Sequence, residues 1–168
     1  MVMTEEEEAI AAWVLGHVPS GWFSGPPVVE MDQEEILVVG RLPEVDGERS
    51  SEPRIRPGGV RQFREATREA RVRLAQEAER RFRRRLSWGV EANGERILFT
   101  TLSVPVMTRL RLQERRVLDT LVEAGVARSR SDALAWCVRL VGEHQADWIR
   151  ELREALVRVG EVRRRGPR

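Results

Sequence analysis

Between residues 106 and 142 the apolar period changes from two to about three and a half, which fixes a local order of strand, helix, turn and helix. Val106, Thr108, Leu110 and Leu112 alternate with Met107, Arg109, Arg111 and Gln113, the pattern of a strand with one buried face. From Arg116 the spacing lengthens. Val117, Leu118, Leu121 and Val122 form a helical stripe, and Gly125 stands where a helix closes in the left-handed conformation. Ser129, with Asp132 three residues later, has the form of a capping box with Asp in place of Glu. The helix it opens carries Leu134, Cys137, Val138 and Val141 on one face.

This succession resembles the ribbon-helix-helix family of bacterial repressors and antitoxins. The resemblance rests on Leu118-Asp119-Thr120-Leu121-Val122-Glu123-Ala124-Gly125 followed by Ser129-Arg130-Ser131-Asp132-Ala133-Leu134, within about 37 residues. It implies an obligate homodimer, since one strand and two short helices bury too little surface alone. In the family the two strands pair as an antiparallel ribbon that enters the DNA major groove, where base edges carry a distinguishing pattern of donors and acceptors. The outward residues Met107, Arg109 and Arg111 are then the base readers, and an Arg fork is suited to guanine. Ser129, Arg130 and Ser131 match the helix N-terminus that meets a phosphate through free backbone N–H groups. Two registers fit the sequence. In one the strand is residues 106–112. In the other it is residues 97–104, with Pro105 opening a longer helix, and the readers come from Phe99, Thr101 and Ser103 or from Leu98, Thr100 and Leu102.

Upstream, residues 1–104 read as a small two-layer α+β domain of order αββαββ, with its helices on one sheet face. Thr4 caps a helix whose first turn is Glu5 to Glu8 and whose stripe is Ile10, Trp13 and Val14. Residues 28–31 and 35–42 form a hairpin around Asp32-Gln33-Glu34, and 43–59 is a long polar loop. One helix over residues 60–86 buries Phe63, Ala66, Ala70, Leu74, Ala78 and Phe82. Strands at 88–92 and 96–104 flank the hairpin signal Asn93-Gly94. Residues 105–168 form the second domain, extended by a helix over 145–162 with Trp148, Leu152, Leu156 and Val159 on one side and by an Arg-rich tail. That helix is expected to pack on the dimer or on the first domain.

Charge divides the chain at the polar loop. Residues 1–58 hold 4 Arg against 12 Asp and Glu, and residues 59–168 hold 25 Arg against 15, so an anionic partner suits the basic part. All 29 basic residues are Arg, which points to a GC-rich bacterial genome. The single Cys137 gives no intrachain disulfide, no apolar run approaches a membrane span, and the acidic start is wrong for a signal peptide, so a cytoplasmic location is expected. With His17, His144 and Cys137 as the whole His and Cys complement, no zinc site is expected. Without a phosphate loop or nucleophile motif, neither an enzyme nor a cofactor is expected. The expected partners are double-stranded DNA and a second copy of the chain, with a further protein or ligand on the first domain. The alternative is an interaction module, or an antitoxin, that uses the same fold to dimerise.

Overall fold

A computed structural model describes residues 4–43 and 58–166. Most of the polar stretch at 43–59 and the last two tail residues therefore lie outside the described residues. The chain is mixed α+β, and its described residues divide into two compact units, one within residues 4–105 and one within residues 106–166. No helix among the described residues is long and apolar enough to cross a membrane.

The first helix, α1 (Glu5–His17), is fixed at its start by a reciprocal cap. Thr4 Oγ1 accepts from the Glu7 N–H at 3.2 Å, and Glu7 Oε2 accepts from the Thr4 N–H at 2.7 Å. Its apolar stripe, Ile10, Trp13 and Val14, is buried as the spacing requires. Strands β1 (Val28–Met31) and β2 (Glu35–Arg41) pair antiparallel. Their turn is held by Asp32 Oδ1, which accepts from the N–H groups of Glu34 and Glu35 at 2.8 and 2.7 Å.

The expected single helix over 60–86 is two helices, α2 (Gly59–Ala66) and α3 (Arg68–Phe82), meeting at Thr67. The Thr67 hydroxyl donates back to the Phe63 carbonyl at 2.7 Å and accepts from Arg71 Nε at 3.0 Å. Arg71 Nη2 in turn donates to the Arg64 carbonyl at 2.7 Å, bracing the break. The buried stripe consequently takes in Thr67 and Arg71 and leaves Ala66 exposed. The Arg71 guanidinium lies 4.9 Å from the centre of the Phe99 ring, so its charge meets a π face. Burial, then the nearby Arg64 and Arg68, hold its pKa below the ordinary arginine value. Arg83, at φ 56°, turns the chain out of α3, so Arg85 and Leu86 belong to the next strand.

Strands β3 (Arg85–Ala92) and β4 (Glu95–Leu98) form the second hairpin, with Asn93 at φ 53° and Gly94 at φ 79°, as a tight primed turn requires. The sheet order is β1-β2-β3-β4, and β2 runs parallel to β3 because α2 and α3 intervene. β4 is shorter than expected: the Phe99 N–H still donates to the Trp88 carbonyl at 2.8 Å, and the chain then leaves the sheet. Ile36, Val38, Leu86, Trp88 and Val90 share one sheet face with Ile10, Trp13, Val14 and Ala78 from the helices, which makes the two-layer core.

Gly40 has a packing reason. A Cβ built there would fall 2.2 Å from Cγ of Phe23. We expect Gly40→Ala to destabilise this unit by about 1–3 kcal/mol through overpacking. Gly16→Ala, in open space within α1, should be neutral or mildly stabilising. Denaturant midpoints of the two variants check this, and equal midpoints would contradict it.

The second unit has three helices, α4 (Leu112–Glu123), α5 (Arg130–His144) and α6 (Ala146–Arg165). Its core is small: Leu118, Ala127 and Ala133 are buried, with Leu110, Leu121, Val122, Leu134 and Cys137 packed against them.

Candidate nucleic-acid interface

The expected strand at 106–112 is not a paired strand in the single chain. Leu112, 59% exposed, begins α4, with Arg111 as its N-cap residue. Residues 101–109 belong to no helix or strand and make no backbone hydrogen bond among the described residues. Within residues 106–112 only Leu110 is half-buried, where it packs on the second core. Val106 is 85% and Met107 98% exposed, and Arg109 and Arg111 are exposed. The second register is overturned: Ile97 and Leu98 are tied into β4 against β3, and no helix starts at Pro105.

The turn between α4 and α5 is built as its residues dictate. Gly125 at φ 75° lets the Val126 N–H reach the Leu121 carbonyl and the Gly125 N–H reach the Val122 carbonyl, both at 3.0 Å. Ser129 then caps α5, its Oγ accepting from the Asp132 N–H at 3.2 Å. The reciprocal half of the cap is displaced by one residue. Asp132 Oδ2 accepts from the N–H of Arg128, at 3.0 Å, rather than from that of Ser129.

Of the expected phosphate-contact positions, Ser129 has its hydroxyl engaged in the cap. The Arg130 guanidinium grips Asp119 of α4 in a two-pronged pair at 2.5 and 2.7 Å. Arg130 therefore fastens α5 to α4, and what it offers an anion is its backbone. The N–H groups of Arg130 and Ser131 find no acceptor among the described residues, as first-turn groups do. Local spacing concealed Asp119 as the partner of Arg130, since the two are 11 residues apart on different helices. Arg128, just before the cap and 94% exposed, was also passed over. Residues 106–168 hold 14 Arg against 9 Asp and Glu, so the unit is basic as a whole.

The carboxylates here are tuned by these contacts. The hydrogen bond from Arg130 holds the Asp119 pKa below the usual carboxylate value, and the backbone N–H of Arg128 does the same for Asp132. A lowered folded-state pKa contributes stability above the unfolded value of about 3.9 and loses it as pH falls through the folded value. We therefore expect Asp119→Asn to be less stable than wild type at pH 6 and the gap to close below about pH 4. Thermal melts followed by circular dichroism across that range test this; a gap independent of pH would remove the ion pair as its cause.

Among the described residues no group of three or more His, Cys, Asp and Glu side chains is placed to hold a metal ion. Comparison with known proteins adds kinship. The profile of the Rv1265-like protein N-terminal domain matches residues 8–98, and that of the Mb1296 C-terminal domain matches residues 111–163. Uncharacterized protein Rv1265 of Mycobacterium tuberculosis is 53% identical over 157 residues, covering 94% of this chain and 70% of its own length. Uncharacterized protein Mb1296 of Mycobacterium bovis gives the same identity and coverage. The chain belongs to the Rv1265-like family. Arg111, Ser129, Arg130 and Ser131 lie within the match to the C-terminal domain of that family, whereas Met107 and Arg109 lie in the stretch between the two matches. No solved structure matches the chain.

Proposed function

We propose that residues 106–144 of this Rv1265-like protein form a ribbon-helix-helix module and that the chain is a homodimeric, sequence-specific DNA-binding regulator. One observation carries this reading. A segment whose backbone N–H and C=O groups find no backbone partner among the described residues leads directly into a helix pair whose apolar surface is partly exposed. Val138 is 66% exposed, and Val117 and Val141 are also exposed. A second copy would supply the missing strand and cover that surface in one step. Leu110 on the core of α4 and α5 sets the inward face, so Val106 and Thr108 follow it inward and Met107, Arg109 and Arg111 turn outward. Those outward residues suit a major groove, and the free N–H groups at the start of α5 suit the flanking phosphate. The first unit would then serve as a sensor or partner site.

The exposed apolar surface also favours a second reading, in which the module only dimerises. Titration of duplex DNA with the full chain at several salt concentrations separates the two. The DNA-binding reading expects log K to fall linearly with log salt, by roughly 0.9 for each phosphate neutralised. No binding even at low salt would leave dimerisation alone.

A further inference from the structure

The helix α6 is 20 residues long and buries none of its side chains, although Trp148, Leu152, Leu156, Val159 and Val162 lie along one side of it and are exposed. In proteins most of a helix's stability comes from packing its apolar face rather than from helix propensity, and an apolar stripe of this kind is what normally holds one in place. We infer that α6 pairs antiparallel with α6 of a second copy of this chain.

The stripe repeats by sevens. Leu152 and Val159 occupy one core position, and Trp148, Ala155 and Val162 occupy the other. In one antiparallel register large faces small: Trp148 packs on Val159 of the second copy and Leu152 on its Ala155, each contact occurring twice by symmetry. Ile149 flanks the same seam beside Leu156 of the second copy, and Glu151 faces its Arg158. Glu151 and Arg158 have no ion pair within their own chain among the described residues, whereas Asp147 already holds Arg150 at 2.8 Å. A parallel pair would instead set Arg158 against Arg163, like against like. Sliding the antiparallel pair by one heptad would set Arg158 against itself. The first half of the helix, residues 146–155, holds three acids against two Arg, and the second half, residues 156–165, holds four Arg against one Glu, so antiparallel partners set the slightly acidic half against the basic one and align their dipoles favourably. The α6 contact is separate from the proposed ribbon and does not rest on DNA binding. Together, the two contacts would join dimers into tetramers or longer arrays.

Two measurements on the full chain test the pairing. Trp148→Cys and Val159→Cys, each in a Cys137→Ala background and carrying tags of different mass, are coexpressed and oxidised mildly. The antiparallel pair gives the mixed disulfide and little of either symmetric one. Symmetric disulfides alone would mean a parallel pair, and no disulfide would mean that α6 is covered by something else; either overturns the inference. Sedimentation of charge variants gives the second test without touching the apolar seam. Glu151→Arg should weaken the α6-dependent association about tenfold, and adding Arg158→Glu should restore it. Equal association in all three proteins would overturn the assigned register.

Discussion

Trp88→Ala should lower the stability of the first unit by about 3–5 kcal/mol, a large part of what a domain of this size possesses. Trp88 is 3% exposed, lies at the centre of β3 opposite Val38, and meets the edge of Trp22 at 5.7 Å between ring centres. Truncation would open a cavity between the sheet and its helices that neighbouring strands, fixed by pairing on both sides, cannot close. The melting temperature should fall by more than about 10 °C. Trp88→Phe should cost much less. It keeps most of the packing and removes an indole N–H that is buried without a hydrogen-bond partner among the described residues, itself a cost of roughly 1–3 kcal/mol in the native protein. Calorimetry on the three proteins decides. A loss under about 1 kcal/mol for Trp88→Ala would remove Trp88 from the centre of the core.

What could be read from sequence, and what could not, follows from the range of each interaction. The cap at Thr4, the stripe of Ile10, Trp13 and Val14, the turn at Asn93-Gly94 and the helix end at Gly125 were legible because each is decided within a few residues. The break at Thr67 was not. A run rich in helix formers gave no local sign that a threonine hydroxyl and a buried arginine would turn inward against Phe99, 28 residues beyond Arg71. The end of β4 was misplaced for a similar reason: Phe99 leaves the sheet to enter the core, a choice settled by packing rather than by strand propensity. In the second unit Arg109 and Arg111 are exposed, and Ser129 caps α5 as its spacing suggested. The Arg130–Asp119 clamp needed the folded helix pair to become visible.

Arg109→Ala carries the largest expected effect on recognition. On the proposed ribbon its guanidinium faces a base pair and can bond two acceptors of guanine at once. Losing that fork should cost about 1–3 kcal/mol against the preferred site and relax the preference at one base pair per half-site. Binding to random duplex should change far less, since it rests on the total positive charge of the unit and on the start of α5. Ser131→Pro would give the complementary result. Removing one free N–H at the α5 N-terminus should weaken preferred and random sites alike while leaving base preference intact.

The most direct measurement is selection of bound fragments from a random duplex library at near-physiological salt, carried out in parallel with wild type and Arg109→Ala. A dimer that reads the major groove should enrich a palindromic or repeated motif, and the variant should lose one base of it in each half. Salt-sensitive binding with no enriched motif, or the same motif from both proteins, would contradict base reading by this segment.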